Sequence, residues 1–266
     1  MRDAFDLKRI EAETLVAEIA YLPEVSSTND WALELAREGG HRLPLLVLAS
    51  RQMQGRGRGA NRWWSAPGAL TFSLLLDTRQ VLPAPSALPQ LSLVAGLGVC
   101  KALASLVPGG EVRLKWPNDV MLGRRKVCGI LVESPARPQD RCVVGVGINV
   151  NNSLSAAPAE VRQRAISLAD ATGEHWDLTG VLGDVLRQLK IALADLAAGR
   201  LPLSDASRPW CVLSGKHIAI AVGKKRVEGL CVGIDDDGAL RVRTRESERR
   251  LVSGVVESIR WEDGIG

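Results

Sequence analysis

At 266 residues, 46% hydrophobic and 24% charged, the chain is long enough for one large domain plus a small one with a sizeable core. A net charge of +4 and an isoelectric point near 8.9 describe a mild basic excess. Its only dense cluster lies inside a glycine-rich segment, not along a face or tail, which favours a small anionic ligand over a polynucleotide.

In chain order, Leu7 to Ile19 alternates charged and apolar groups at helical spacing and predicts a helix. Tyr21 to Val25 predicts a short strand, and Ser26-Ser27-Thr28-Asn29-Asp30 supplies capping side chains for a helix through Trp31, Leu33 and Leu35 that Gly39-Gly40 ends. Leu45 to Ser50 reads as a buried strand that leads into Gln54-Gly55-Arg56-Gly57-Arg58-Gly59-Ala60-Asn61-Arg62-Trp63-Trp64. Ala69 to Asp77 is another strand, and Pro83, Pro85 and Pro89 open a long helix to about Val107. Val112 to Lys115, Val120 to Leu122 and Val127 to Glu133 are strand-like, with Gly123-Arg124-Arg125 as the turn between the last two. Val143 to Asn149 is a buried strand and Leu178 to Leu196 an amphipathic helix. From Leu203 to Trp210 the texture changes. His217 to Val222, Lys225 to Asp235, Ala239 to Thr244, Arg249 to Ser253 and Val255 to Trp261 then read as short strands, which predicts a small barrel. The order is α+β: a mixed sheet covered by helices on one face, over residues 1–210, followed by a small barrel domain over residues 211–266.

The longest apolar runs, such as Leu43 to Ala49, are too short to span a bilayer, and Met1 to Asp6 mixes charges where a secretion signal carries its apolar core, so no membrane association is expected. Cys100, Cys128, Cys142, Cys211 and Cys231 are widely spaced without a Cys-x-x-Cys, and His41, His175 and His217 stand apart. They read as buried free thiols in a reducing cytoplasm, not as metal ligands or disulfides.

Two segments carry the chemistry. In the first, Arg56, Arg58 and Arg62 are interleaved with glycines and have no acid nearby in sequence; guanidinium forks suit carboxylate and phosphate oxygens, and glycine leaves the backbone free to move. Gly55-x-Gly57-x-x-Ala60, with Asp77 downstream, nominally fits a dinucleotide fingerprint. A dinucleotide loop must open a helix, though, whereas this one runs into Trp63-Trp64-Ser65-Ala66-Pro67-Gly68 and a strand. No Gly-Lys-Ser/Thr follows, so it is no P-loop either. In the second, Lys115-Trp116-Pro117-Asn118-Asp119 sets a lysine, an amide and a carboxylate on one turn. Lys126 and Gly129 lie just beyond, and Gly145-Val146-Gly147-Ile148-Asn149 ends a buried strand in an amide.

Gly-Arg-Gly-Arg followed by Trp, then Lys-Trp-Pro-Asn-Asp, then Arg-Lys-x-x-Gly-Ile-Leu-x-Glu from Arg125 to Glu133, then Gly-x-Gly-Ile-Asn-x-Asn, in that order after Ser27-Thr28-Asn29, resembles the biotin protein ligases from about Val25 to Trp261. The resemblance implies a class II synthetase-like biotin/lipoate ligase fold with an SH3-like C-terminal barrel. It implies an enzyme that activates biotin with ATP and Mg²⁺ and transfers it to a lysine of a biotin carboxyl carrier protein. By that resemblance Ser27, Thr28, Asn29, Gln52, Arg56, Gly57, Arg58, Lys126 and Gly129 border biotin. Arg58, Trp63, Lys115, Asn118 and Asn149 face the nucleotide, with Trp63 covering the adenylate. Lys126, Arg56, Arg58 and Asp119 carry the catalysis, and Asp119 is also the candidate Mg²⁺ contact. Gly59-Ala60-Asn61 departs from the further basic residues the family often has there, so the second half of the loop is expected to retain adenylate differently. The segment before Ser27 is too short for a winged helix-turn-helix, so a ligase without DNA binding is expected, and a homodimer is left open. The rivals are a lipoate or octanoate protein ligase, which the two basic motifs disfavour, and a nucleic-acid-binding module, which the scarcity of Tyr and Phe disfavours.

Overall fold

The computed structural model describes residues 5–261 together with Gly264 and Ile265. Seven strands, β1 (Glu18–Val25), β2 (Leu45–Gln52), β3 (Leu70–Asp77), β4 (Val112–Lys115), β5 (Asp119–Leu122), β6 (Arg125–Glu133) and β7 (Arg141–Ile148), form one sheet in the order β1-β2-β3-β7-β6-β5-β4. β1 and β2 pair in parallel and every other neighbour is antiparallel. The parallel pair is joined by α2 (Thr28–Glu38), which starts on the Ser27 side chain and stops at Gly39, whose φ of 73° is left-handed.

The central strands are apolar on both faces, and the two faces bury against different helices. Leu46, Leu48, Leu74, Leu76, Val144 and Val146 belong to the main core with α4 (Leu91–Leu106) and α7 (Leu178–Ala197), which pack against each other. The alternate residues Leu45, Val47, Leu75 and Val143 pack with Ala32, Leu35 and Ala36 of α2. The expectation of helices on one face is therefore corrected: a strand buried on both sides needs a cover on both, and α2 supplies the second. The stretch Pro85–Leu106 is long and apolar enough to cross a membrane, but 67% of its most apolar window is buried inside the protein, where it serves as the core helix.

The first helix also differs from expectation. α1 (Leu7–Glu13) is short: the Thr14 hydroxyl donates to Ile10 O at 2.7 Å, and the chain is extended by Glu18, which is in register with Leu45. Pairing with β2 overrides the local helical pattern. Four short helices, α3 (Thr78–Val81), α5 (Ala159–Arg164), α6 (Leu168–Thr172) and α8 (Leu203–Ser207), have too few turns to leave a periodic signal. All five cysteines are buried free thiols.

After α8, the strands β8 (His217–Val222), β9 (Lys225–Ile234), β10 (Leu240–Arg243), β11 (Glu248–Leu251), β12 (Val255–Trp261) and β13 (Gly264–Ile265) form an antiparallel sheet in the order β11-β10-β9-β8-β12-β13. Irregular register between Arg241 and Val242 and between Val256 and Ser258 bends it. Among the described residues the pairing does not close on itself into the expected barrel.

The two sheets are joined by specific bonds as well as by a common core. Leu114 N donates to Trp210 O at 2.8 Å and Val212 N to Leu114 O at 2.9 Å, so the connecting segment lies along the outer side of β4. The Trp116 indole donates to Gly238 O at 3.0 Å. Leu114 is fully buried and fills the space beside Gly96 of α4, where an added Cβ would come within 2.5 Å of it. Leu114→Ala is expected to lower stability by about 2–5 kcal/mol, measurable as a reduced urea midpoint.

Candidate active site

On the face covered by α2, paired positions across the sheet form a row running Ala49, Thr71, Gly147, Gly129, Asp119 and Lys115. A second row on the same face carries Ser73, Gly145 and Leu131. Side chains at paired positions share a face, so the three glycines leave a trough beside α2. The trough is the floor of a cavity of about 490 Å³.

Its polar end is built at the start of α2. Thr28 N and Oγ1 donate to Gln52 Oε1 at 2.8 and 3.1 Å. Ser73 Oγ lies 2.8 Å from Thr28 Oγ1 and 2.7 Å from Asn29 Oδ1. Asn29 Nδ2 donates to Glu133 Oε2 at 2.9 Å and reaches Leu131 O at 3.3 Å. Asn29 sits over Gly145, where an added Cβ would meet its Oδ1 at 1.9 Å. Thr28, Asn29, Gln52 and Ser73 are buried and joined by these bonds, so their orientation is fixed before any ligand arrives.

The glycine-rich loop is a small hairpin over the cavity. Gly57 N donates to Asn61 O at 2.8 Å, Trp63 N to Gly55 O at 2.9 Å, and Arg56 pairs across with Arg62. Gly59 takes a left-handed φ of 66° at the turn, and Asn61 Nδ2 closes it on Arg58 O at 2.9 Å. The Gly59-Ala60-Asn61 departure thus forms the tip of the hairpin. Two acids distant in sequence meet Arg56: its Nε is 3.0 Å from Asp30 Oδ1 and its Nη2 bonds Glu133 Oε2. Arg58 reaches the C-terminal sheet, donating to Gly254 O at 2.7 Å.

Trp63 lies flat in the trough. A Cβ at Gly147 would come within 2.5 Å of its ring and one at Gly129 within 3.5 Å, while Lys126 Nζ stands 5.9 Å from the ring centroid. The Trp63 indole N–H is buried and has no hydrogen-bond partner among the described residues. Lys126 Nζ is 2.5 Å from Asp119 Oδ1 and 2.9 Å from where a Cβ at Gly129 would sit. Trp116–Pro117 is a cis bond, Asn118 Nδ2 donates to Ile130 O at 2.7 Å, and Ile130 N returns to Asn118 O at 3.0 Å, fixing the turn to β6.

Burial pushes the Lys115 ammonium below its usual range; Asp119 opposes this, and Lys126 and Arg164 reinforce it. Holding like charges together in a part-buried site is unfavourable for folding and favourable for an anionic ligand. Among the described residues no group of three or more His, Cys, Asp or Glu gathers as a metal cage. Asp119 is a carboxylate on the wall of the cavity. Mg²⁺ is commonly held by one or two carboxylates together with substrate phosphates, and this donor set fits that pattern.

Of the residues singled out from sequence, Ser27, Thr28, Asn29, Gln52, Arg56, Gly57, Arg58, Trp63, Lys115, Asn118, Asp119, Lys126 and Gly129 all line this cavity. Asn149 does not: it is buried, accepts from Asn152 Nδ2 at 3.1 Å, and its backbone N–H goes to Val127 O. The sequence reading missed Asp30 and Glu133 as partners of Arg56, although both stood inside quoted motifs. It also missed the rim formed by Ala221, Gly223 and Ser253 to Val256, which no local signal announced.

Residues 21–149 match the biotin/lipoate A/B protein ligase family, and residues 213–257 match the biotin protein ligase C terminal domain. The bifunctional ligase/repressor BirA of Bacillus subtilis is 31% identical over 253 residues, which cover 93% of this chain and 76% of that protein. The biotin–[acetyl-CoA-carboxylase] ligase of Mycobacterium tuberculosis is 33% identical over 220 residues, 82% of this chain and 80% of that one. Among solved structures, a biotin protein ligase from Aquifex aeolicus in complex with biotin and ATP superposes with a TM-score of 0.77 at 31% identity, over 91% of this chain and 98% of that one.

Two outcomes follow from this geometry. Gly147→Ala is expected to expel the Trp63 ring from the trough, seen as a red shift of tryptophan emission with the urea midpoint little changed. For Lys115, the folded form holds its proton less tightly than the unfolded chain, in which the group titrates near 10.5. Above the folded value and up to that point the unfolded state binds more protons, so stability rises with pH across the window. Lys115→Met is expected to be more stable at neutral pH by about 0.5–2 kcal/mol and to lose that rise, measured by urea unfolding from pH 7 to 10.

Proposed function

The chain belongs to the biotin protein ligases, and on that premise we propose that it joins biotin to ATP as biotinyl-5′-AMP and then transfers the biotinyl group to one lysine of a biotin carboxyl carrier protein. The observation that carries this reading is the single cavity in which a pre-bonded polar pocket (Thr28, Gln52) meets a group of cations (Arg58, Lys115, Lys126) beneath a loop tryptophan.

The ureido ring of biotin is taken by Ser27, Thr28 and Gln52 at the polar end, with the valeryl chain running towards Lys126. A carboxylate oxygen attacks the α-phosphorus of ATP; the bond from that phosphorus to the bridging oxygen breaks, and pyrophosphate leaves. Two anions have to meet, and Lys126, Arg58 and Lys115 supply fixed positive charge where it develops. Arg56 lines the same cavity, but its charge is already met by Asp30 and Glu133, so it is not assigned to the phosphates. Asp119 is the residue that would hold Mg²⁺ along with phosphate oxygens, and the ion when bound neutralises phosphate charge. Asn118 and Trp63 border the adenosine, and the hairpin keeps water from the mixed anhydride.

In the second step the carrier's lysine nitrogen attacks the acyl carbon and AMP leaves. That amine, with a reference pKa of about 10.4, has to shed a proton, and the Asp119 carboxylate, 2.5 Å from Lys126 Nζ, is the base or guide we assign. In this reading residues 1–210 carry the chemistry and residues 211–266 close the rim. We also place the enzyme in the cytoplasm.

Pyrophosphate exchange into ATP is the direct test, run with biotin, lipoate, octanoate or no acid. Exchange with biotin alone is expected, and EDTA should abolish it. Exchange with lipoate or octanoate in place of biotin would assign the chain to that substrate class instead. Lys126→Gln is expected to lower the exchange rate about 10²–10³-fold.

A further inference from the structure

Glu133 closes the Arg125–Glu133 motif and has no part in the chemistry above. Its Oε2 is nevertheless a junction: it accepts from the buried Asn29 amide at 2.9 Å and from Arg56 Nη2. The same guanidinium gives its Nε to Asp30 Oδ1 at 3.0 Å. One cation is thus forked between a carboxylate on α2 and one at the end of β6. An isolated exposed ion pair holds little. Here, however, one acid is itself fixed by a buried amide, the side chains are only 26–41% exposed, and both edges of the fork are engaged.

We propose that Asp30 and Glu133 are positioning residues that clamp the glycine-rich hairpin to the sheet through Arg56, which serves as the anchor of the loop and not as a ligand for phosphate. The hairpin transmits the constraint. Arg56 pairs with Arg62, Trp63 N bonds Gly55 O at 2.9 Å, and an added Cβ at Gly55 would lie 2.8 Å from Trp63 O. Fixing Arg56 therefore fixes the strand that lays Trp63 over Gly129 and Gly147. It leaves Arg58, which donates to the carbonyl of Gly254, able to turn to an anion. The functional half of this proposal rests on the ligase reading; the structural half does not.

The test uses the full chain and Glu133→Gln, which keeps an oxygen for the Asn29 amide and removes the charge that Arg56 meets. Without any ligand, limited trypsin digestion followed by mass spectrometry reads cleavage after Arg56, Arg58 and Arg62 against other sites as internal reference. Cleavage in the loop at least fivefold faster than in the unaltered protein supports the clamp, and an unchanged rate overturns it. If Glu133→Gln fails to fold, Asp30→Asn gives the same comparison from the other side of the fork. With biotin and ATP, the clamp predicts a KM for biotin raised about tenfold, a much smaller fall in kcat, and faster release of the adenylate. If instead Arg56→Gln lowers kcat about a hundredfold while Glu133→Gln leaves both constants unaltered, Arg56 is a phosphate ligand and the proposal fails. Failure of the unaltered protein to exchange pyrophosphate with biotin would sink the ligase reading alone, since the ligand-free digestion is read separately.

Discussion

The site depends on side chains that are missing. Gly129 and Gly147 face each other on neighbouring strands, with Gly145 one row away, and together they hollow the sheet at the start of α2. Every recognised group is placed relative to that hollow: Asn29 over Gly145, the Trp63 ring over Gly147, Lys126 beside Gly129. A methyl group at Gly145 or Gly147 would lie within 1.9 or 2.5 Å of its neighbour, distances at which atoms cannot coexist. Close packing elsewhere in the sheet gives the hollow stiff walls.

Charge is arranged around the hollow with the same economy. Lys115, Lys126 and Arg58 stand on three different segments, and each is restrained by something other than a ligand: burial, Asp119 and the Gly254 carbonyl. Such a site gives up some folding stability to have its positive field in place beforehand, and an anion arriving there meets donors that need little reorganisation.

Most of this was legible in the sequence, for identifiable reasons. The strands β2, β3 and β7 are unbroken apolar runs, and Ser27 and Gly39 punctuate α2, so period and capping place them. The site residues cluster in short motifs on adjacent strands, which is why thirteen of the named positions converge on one cavity. What escaped was non-local. The second apolar face covered by α2, the parallel pairing that cuts α1 short and the carboxylates that meet Arg56 all depend on residues distant in sequence. Asn149 falls outside that cavity, and an amide at a strand end reads the same whether it faces a ligand or, as here, bonds Asn152.

The seam along β4 bears on how the molecule comes into being. β4 carries Lys115 at its end, and its outer side is bonded by Trp210 and Val212, while Trp116 waits for Gly238. On a ribosome these partners are made about a hundred residues after the strand they complete, so the hairpin bearing Lys115 and Asp119 emerges with one side bare. Domains made first usually fold first, but here a competent site is assembled only when nearly the whole chain has been released. A nascent or prematurely terminated chain would therefore display the motifs of the site without its geometry.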